Sequence, residues 1–505
     1  MTESRKVLAA VVAAWAVVGS AACGAPVPEP PRIAWHDCRT GPEDEIGARL
    51  AAAGARCGEF HAPLDYADPD GRTLTLAVAR RPATDPARRL GTLVVQTGGP
   101  GPSRDGVTML LDGPEGGHPA AAEIAQRYDI VGLDPRFFGA STPLECGWPT
   151  NDYLGLAQTA PQDRAGFDRT VSLATDLARR CEPYRDLLPH ASTRNVARDL
   201  DLLRTLLGER DLNFLGWSWG TYVGAVYAQM FGDHAGRVVL DSALDPRAPG
   251  PDLTRASAPA GAAALEDWAR WAAAHPEVGW GATPEQVLAE VDRVLQAIAA
   301  EPVTLAGVTV TSEMMPGLLL TVDDSDTSYT EFAAQLRALS DATQRRPVDL
   351  PAGTAAKLAL YGDDSVLPEL GFSATVANQC ADRPARDPED HFTDIEAHRA
   401  AEPIYGPLAR RATPCSLWPA GPAEPATEVA NPTPALLIGA EGDPVAPRAG
   451  QDAMRQALTG SRTVTLKHAV RHGVYLFERN VCVDDAVARY LVDGRLPTTD
   501  VDCRR

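Results

Sequence analysis

A serine lies inside the pentapeptide Gly216-Trp217-Ser218-Trp219-Gly220, which has the pattern G-x-S-x-G. The pattern of residues 212–215 predicts a short buried strand, and that of residues 221–228 predicts a helix with small residues on one face. A serine at a tight strand-to-helix turn presents its hydroxyl at the edge of a sheet, and flanking glycines avoid collisions there. The helix N-terminus behind it favours developing negative charge. The pentapeptide alone is weak evidence, but with this context it predicts a hydrolase nucleophile.

A nucleophilic serine needs a base, and the base needs a carboxylate that orients it. In hydrolases with this turn the chain order is Ser, then acid, then His. Asp443 lies in the turn after the predicted strand 435–438. His472 lies in the loop beyond the predicted strand 463–466, which leaves room for one helix and one strand between the two residues. We therefore predict Asp443 as the acid and His472 as the base.

Other residues near these strand ends are alternatives for the same roles. His468 also follows the strand 463–466, and it is expected to be a strand-end residue with no catalytic part. Glu441 and Asp241 are the alternative acids. Asp241 ends a strand, where its expected role is to cap or brace the next turn.

The tetrahedral intermediate of such a reaction needs two backbone N–H donors. One is expected from Trp219, the residue after the nucleophile. The other is expected from Gly99 in the loop 98–101, which follows the predicted strand 92–96. A glycine-rich turn is by itself a weak signal, but this one has the expected place in the strand order.

The elements around these residues alternate between short apolar strands and helical patterns. Strands are predicted at 73–79, 92–96, 128–134, 212–215, 237–241, 435–439 and 463–466. Such alternation indicates an α/β fold, a mostly parallel sheet with helices on both faces. Between about 249 and 430 the alternation stops, and Ala-rich helical segments such as 260–274 and 284–300 dominate. We interpret this region as an inserted helical cap rather than a separate downstream domain, because the strands after residue 434 need a sheet to join.

The chain begins like an exported protein. Lys6 precedes an apolar run at 7–18, and small residues lead to Cys23. This resembles the lipobox of bacterial lipoproteins, in which Cys23 would be lipidated, although Ser20 stands where Leu is commoner. The alternative is an ordinary secretory signal. A lipid at Cys23 would be the expected contact with a membrane.

These patterns predict five segments in the chain. They are a signal peptide (1–22), a tether that starts at Cys23 (23–36), the first part of the sheet-bearing core (37–248), the helical cap (249–430) and the C-terminal part of the core (431–505).

Eight cysteines remain besides Cys23, an even number that suits an oxidising compartment. Connectivity is not fixed by sequence, but the cysteines fall into successive local couples. We expect the pairs Cys38–Cys57, Cys146–Cys181, Cys380–Cys415 and Cys482–Cys503. The spacing has no C-x-x-C or Cys/His cluster, so neither a metal nor another cofactor is expected.

The formal net charge of −20 argues against nucleic acid and anionic membrane surfaces as partners. It would favour cationic ligands, such as peptides with a free N-terminus. Solubility alone explains the charge equally well.

Several motifs together resemble the exported tripeptidyl and prolyl aminopeptidases of the α/β-hydrolase fold, with their TAP-like C-terminal region. The matching stretches are 98–101, 129–136, 141–144, 218–222, 239–241, 442–447, 472–475 and 490–497, with Cys503. The resemblance implies an α/β-hydrolase with an inserted cap. It also implies a serine exopeptidase that removes short N-terminal pieces from peptides through an acyl-enzyme.

This chain departs from the family pattern at several places around the site, but none of the departures removes a catalytic group. Bulky or charged residues stand at Pro102, Phe137-Phe138, Trp217, Trp219 and Arg471. The bulk near the serine concerns the choice of substrate.

An aminopeptidase also needs carboxylates that meet the substrate's ammonium group. Acidic residues of the cap region are Asp323, Asp324, Asp326, Asp363, Asp364 and Asp382, and we expect them to be solvated loop charges instead. Two other functions compete with a peptidase: an esterase or lipase with the same triad, and an inactive lipoprotein that binds a ligand. The complete Ser–Asp–His set argues against the inactive protein.

Overall fold

The computed structural model describes residues 32–112 and 119–505. The predicted signal peptide, Cys23 and the tether as far as residue 31 lie outside these ranges. Within them, no helix is both long enough and apolar enough to cross a membrane.

Ten strands of the described residues form one sheet, and two more form a small hairpin. The strands are β1 (Ala34–Asp37), β2 (Arg56–Pro63), β3 (Thr73–Arg81), β4 (Gly91–Gln96), β5 (Tyr128–Leu133), β6 (Leu212–Trp217), β7 (Ala235–Asp241), β8 (Val303–Leu305), β9 (Val308–Val310), β10 (Ala435–Ala440), β11 (Arg462–Leu466) and β12 (Val501–Cys503). The order across the sheet is β1-β2-β3-β5-β4-β6-β7-β10-β11-β12. The strands from β5 to β12 in this order are parallel, whereas β1, β2 and β3 are antiparallel to their neighbours.

Helices cover both faces of the sheet and build the cap. They are α1 (Glu45–Ala52), α2 (Gly106–Asp112), α3 (Pro119–Arg127), α4 (Thr150–Ala157), α5 (Arg164–Arg180), α6 (Thr193–Leu206), α7 (Trp219–Met230), α8 (Ala258–Ala274), α9 (Pro284–Ala300), α10 (Met315–Leu318), α11 (Asp326–Thr343), α12 (Ala352–Tyr361), α13 (Phe372–Asp382), α14 (Pro388–His398), α15 (Gly406–Ala409), α16 (Arg448–Ala457) and α17 (Val481–Ala488).

The central strands are buried on both faces, which is why they are apolar runs rather than alternating ones. Successive side chains of a strand point to opposite faces. On β6, Phe214 packs in the core beside α6 and α7, while Leu215 packs in the core beside α2, α3 and α17. The α/β-hydrolase architecture predicted from the sequence is therefore the one observed.

The cap has a hydrophobic core of its own, in which Trp268 of α8 is completely buried. It is not purely helical, because β8 and β9 form an antiparallel hairpin within it. Its later helices also pack against α4 and α5, which precede the nucleophile in the chain. The rings of Tyr153 and Phe372 stack with their centroids 4.0 Å apart. The helical layer over the sheet therefore consists of the inserted cap together with α4 and α5, which lie in the segment predicted as 37–248. Helical periodicity alone does not reveal that these helices pack together.

Four disulfides are present in the described residues: Cys38–Cys57, Cys146–Cys181, Cys380–Cys415 and Cys482–Cys503. These are the neighbouring couples expected from their order in the chain. Two of them lie in the helical layer and two beside the sheet, so both parts of the molecule are cross-linked internally.

Candidate active site

Ser218 lies between β6 and α7 with a positive φ of 54° and a ψ of −121°. A non-glycine residue in this conformation is strained and persists only where its surroundings enforce it. Its backbone N–H donates to the carbonyl oxygen of Asp241 at 3.0 Å. The flanking glycines are required by close approach: a Cβ on Gly216 would lie 2.6 Å from the carbonyl oxygen of Gly220. Strand, turn and helix therefore hold Ser218 in the predicted nucleophile turn.

Asp443 follows β10 and His472 follows β11, and the two side chains are hydrogen-bonded. His472 Nδ1 lies 3.0 Å from Asp443 Oδ2 and 3.1 Å from Oδ1. The Asp443 side chain is completely buried, and its Oδ1 also accepts the N–H groups of Val445 and Ala446 at 2.8 Å each. These donors hold the carboxylate in place, so Asp443 can orient the imidazole ring.

The surroundings of His472 favour its protonated form. Burial of the ring would lower its pKa, but the hydrogen bond that Nδ1 donates to Asp443 and the charges of Asp443 and Asp241 outweigh burial and raise the pKa above 6.5. A base with this environment stabilises the imidazolium that forms when it takes a proton.

The strand order brings these residues to one edge of the sheet. Ser218 follows β6, Asp241 is the last residue of β7, and Asp443 follows β10. His472 lies beyond β11, the next strand across. The carboxyl ends of parallel strands meet at a common edge, where ligands bind in open α/β sheets. The Ser218 hydroxyl and His472 Nε2 make no hydrogen bonds within the described part of the chain. Both atoms therefore remain available to a substrate, as is common in unliganded sites.

The glycine loop after β4 lies against the nucleophile turn. A Cβ on Gly98 would lie 2.8 Å from the carbonyl oxygen of Trp217 and 3.2 Å from Ser218 Cβ. In the residues that the structure describes, neither the Gly99 N–H nor the Trp219 N–H donates a hydrogen bond. Two unpaired N–H groups beside Ser218 have the chemistry that an oxyanion requires.

Asp241 and Ser242 connect the nucleophile turn to the loop 467–480, which carries the predicted base His472 and is called the base loop below. The Asp241 carboxylate accepts the N–H groups of Val474 at 3.1 Å and Tyr475 at 2.7 Å. Ser242 Oγ accepts the N–H of Gly473 at 2.8 Å. Burial raises the pKa of Asp241 to about 6, against the lowering effect of the hydrogen bonds that it accepts. Asp241 was expected to brace the turn that follows its own strand, and in the structure it also holds the base loop. No sequence pattern predicts this contact.

The cap also holds the base loop. The N–H of His472 donates to the carbonyl oxygen of Val322 at 2.9 Å. The N–H of Val470 donates to Asp324 Oδ2 at 2.7 Å, and Asp324 is paired with Arg505. No pattern in the sequence signals this contact, because the cap segment and the base loop are far apart in the chain.

Comparison with known proteins shows where this site belongs. The tripeptidyl aminopeptidase of Streptomyces lividans is 31% identical over 463 residues, which cover 89% of this chain and 83% of that protein. This chain belongs to the tripeptidyl aminopeptidase family. It is thereby an enzyme of the serine peptidase class. A family profile described as TAP-like protein matches residues 402–503, the part that carries Asp443 and His472.

Two further relatives of this family member cover most of the chain. Serine protease Hip1 of Mycobacterium tuberculosis is 29% identical over 499 residues, which cover 93% of this chain and 91% of that protein. Carboxylesterase B of the same species is 31% identical over 512 residues, which cover 95% of this chain and 91% of that protein. A thermophilic esterase from Thermogutta terrifontis aligns with 86% of this chain and 98% of its own at 14% identity and a TM-score of 0.37, too loosely to support any assignment.

The alternative base and acid of this aminopeptidase-family chain are engaged away from His472. The His468 side chain is 84% exposed. Glu441 forms an ion pair with Lys467 and accepts the N–H of His468 at 3.0 Å. Within the described residues, neither side chain forms a hydrogen bond or an ion pair with His472.

The two tryptophans beside the nucleophile are buried on opposite faces of the sheet. Trp217 packs edge-on against Phe477, with the ring centroids 6.2 Å apart. Trp219 lies 6.4 Å from the ring of Phe138. Their bulk therefore fills the cores beneath the site.

Arg471 donates hydrogen bonds to the carbonyl oxygens of Gly473 and Phe477 in its own loop and forms an ion pair with Glu478.

Most acidic residues of the cap have partners inside the protein. Asp323 accepts from Ser325 and Ser328, Asp326 accepts from the Trp271 indole, and Asp363 accepts from Ser365. Asp382 is buried and accepts the N–H and the hydroxyl of Thr193 at 2.6 and 2.7 Å. Asp324 holds the base loop. Asp326 is exposed, as expected for a solvated loop charge, whereas the side chains of Asp324 and Asp382 are buried. No three metal-ligating side chains cluster within the described ranges.

Proposed function

We propose that this chain is an exported serine exopeptidase that removes short N-terminal peptides or residues from peptides. The observation that carries the proposal is the buried Asp443–His472 pair at the same sheet edge as the strained Ser218 turn. The family assignment supports peptide substrates, and the cap supports an exopeptidase because it restricts access to the sheet edge.

The proposed mechanism runs through an acyl-enzyme. Ser218 Oγ attacks the carbonyl carbon of the scissile bond while His472 Nε2 takes the hydroxyl proton. The N–H groups of Gly99 and Trp219 stabilise the oxyanion. The imidazolium, held by Asp443, then gives its proton to the leaving amine, and the peptide bond breaks. In the second half, His472 takes a proton from water, the resulting hydroxide attacks the acyl carbon, and Ser218 leaves with the proton from His472.

Export is the second part of the proposal. Four disulfides suit an oxidising compartment, where such bonds persist. The leader pattern before Cys23 would direct export, and a lipid on Cys23 would anchor the enzyme to a membrane. Cys23→Ser tests the anchor: metabolic labelling with palmitate should disappear and the protein should move to the medium. Unchanged labelling would show that Cys23 is not the lipidated residue.

The catalytic proposal is tested by activity-based labelling. Wild-type enzyme should react with a fluorophosphonate probe, and Ser218→Ala should not. A matched control is Ser172→Ala, which changes an exposed serine on α5 and leaves the proposed nucleophile in place. If Ser218→Ala still labels, Ser218 is not the nucleophile.

The substrate proposal is tested with p-nitroanilides of one, two and three residues, each with a free or an acetylated N-terminus. An aminopeptidase should cleave the free forms and lose most activity on the acetylated forms. The length that gives the highest kcat/KM then defines the piece removed.

An esterase is the second candidate function, and the identity to Carboxylesterase B favours it. Esterase and peptidase would share the triad and differ in what the cap accepts. Hydrolysis of p-nitrophenyl esters without cleavage of any anilide would favour the esterase and overturn the peptidase proposal.

A further inference from the structure

A cavity of about 140 Å³ lies beside the Asp443–His472 pair. Pro444 and Val445, which directly follow Asp443, form one wall. Leu320 forms another, two residues before Val322, whose carbonyl oxygen holds the His472 backbone. The space is larger than a single water needs, and it adjoins the proposed site without containing its catalytic atoms.

Arg411 lines this cavity without a carboxylate partner. Its Nη1 donates to the carbonyl oxygen of Leu408 at 2.6 Å. Its Nε is fully buried and has no hydrogen-bond partner. Within the described ranges, no Asp or Glu side chain forms an ion pair with Arg411, although most arginines of the chain are paired. Burial lowers the pKa of its guanidinium, which shows how poorly the charge is compensated.

The other polar groups of the lining are mostly engaged. The Thr254 and Tyr405 hydroxyls donate to the carbonyl oxygens of Ala409 and Leu319. The Gln158 side-chain amide makes no hydrogen bond within the described residues. The cavity therefore offers one partly buried cation and one free amide, with apolar walls around them.

We propose that this cavity is a subsite for a carboxylate group of the substrate, with Arg411 as the cation that binds it. The inference rests on the proposed function and specifies its substrate class. Within the described residues Nη2 of this guanidinium has no hydrogen-bond partner, so it can donate to a carboxylate oxygen in a charge-assisted hydrogen bond. The carboxylate comes either from an acidic side chain near the N-terminus or from the free C-terminus of a short peptide.

The experiment compares kcat/KM for matched substrates on wild type, Arg411→Met and Arg411→Lys. Tripeptidyl p-nitroanilides carry Glu or Gln at each of the three positions in turn, and short peptides carry a free or an amidated C-terminus. Methionine keeps much of the apolar stem of arginine, and lysine keeps the charge but not the fork. The control variant is Arg293→Met, an arginine on α9 that is 66% exposed and paired with Glu290.

We expect wild type to prefer Glu over Gln at one position, or the free acid over the amide, by tenfold or more. Arg411→Met should abolish that preference while cleaving the neutral substrates within about twofold of wild type, and Arg411→Lys should keep part of it. The control should behave like wild type. Thermal melting of each variant separates misfolding from loss of the subsite.

Two results would overturn the subsite. One is the absence of any charge preference in wild type, and the other is an equal loss on charged and neutral substrates in Arg411→Met with unchanged melting. If no peptide is cleaved, the proposed function fails. The subsite is then tested independently with two esters, mono-p-nitrophenyl glutarate, which has a free carboxylate, and p-nitrophenyl methyl glutarate, which has none. An Arg411-dependent preference for the acid would support it, and equal rates would overturn it.

Discussion

The hydrogen bond from His472 Nδ1 to Asp443 decides which ring nitrogen faces the substrate. Because Asp443 accepts a hydrogen bond from the protonated Nδ1, the neutral ring leaves Nε2 unprotonated and able to act as a base. The same contact helps to raise the pKa of His472 above 6.5.

Asp443→Asn should therefore lower kcat by about 10³- to 10⁴-fold with little change in KM, since an amide stabilises neither the right tautomer nor the imidazolium. It should also move the acidic limb of the kcat/KM profile to lower pH, because the interaction that raises the His472 pKa is lost. In wild type, activity should fall as pH drops through that raised pKa. An acidic limb that stays in place in Asp443→Asn would contradict the assignment of the limb to His472.

Asp241 is a positioning residue in this geometry, since it bonds the base loop and not the substrate. Asp241→Asn keeps the size but turns an N–H group toward the N–H donors of Val474 or Tyr475. We expect kcat to fall about 10- to 100-fold, and the acidic limb to shift to lower pH because the Asp241 charge raises the His472 pKa. Asp245→Asn, in the same segment, is the control. A loss of melting temperature with an unchanged pH profile would mean that Asp241 only stabilises the fold.

At the scale of elements, Asp324 of the cap joins the cap to the base loop. Its carboxylate is 4% exposed, accepts from Val470 and is paired with Arg505. Asp324→Asn should weaken this contact and loosen the His472 loop, since the attraction between Asp324 and Arg505 is lost and only Glu478 still pairs with that arginine.

The expected result for Asp324→Asn is a several-fold lower kcat and faster amide exchange in the base loop. Asp326→Asn, which changes a neighbouring carboxylate bonded to Trp271, serves as the control. Equal exchange rates in wild type and Asp324→Asn would show that the loop does not depend on the cap.

Sequence predicted the elements of the sheet far better than their contacts. β4, β6 and β10 are apolar runs because both faces are buried, so their positions follow from composition alone. The Asp443–His472 contact follows from strand order. By contrast, the bond from His472 to Val322 joins a loop to a distant cap segment, and no periodicity encodes such a pair. The uncompensated charge of Arg411 is equally invisible, since only the fold shows which carboxylates lie out of reach.

At the scale of the whole molecule, two buried carboxyls make stability depend on pH. Burial raises the pKa of Asp382 to about 7 and that of Asp241 to about 6, from 3.8. The folded protein then binds these protons more tightly than the unfolded chain does. This stabilisation is complete below pH 3.8, and it is lost as pH rises through about 6 and about 7.

Asp382→Asn should remove the larger part of this dependence, because an amide does not titrate and the Thr193 hydroxyl can turn to accept from it. The melting temperature of the variant relative to wild type should rise between pH 5 and pH 8. Differential scanning fluorimetry across this range provides the measurement, with Asp326→Asn as a control. A constant difference between variant and wild type would contradict the raised pKa of Asp382.

β7 and β10 are neighbours in the sheet, yet the whole cap lies between them in the chain. During synthesis, β7 must therefore wait with an open edge until residues after 434 emerge, and such long-range pairing is slow to form. Open edges invite pairing with other chains, so this edge is open to aggregation until the sheet closes. The delay also has a protective side. Until then the nascent chain carries the proposed nucleophile Ser218 without its proposed base His472. We therefore expect hydrolytic activity to arise only once the distant strands have closed the sheet.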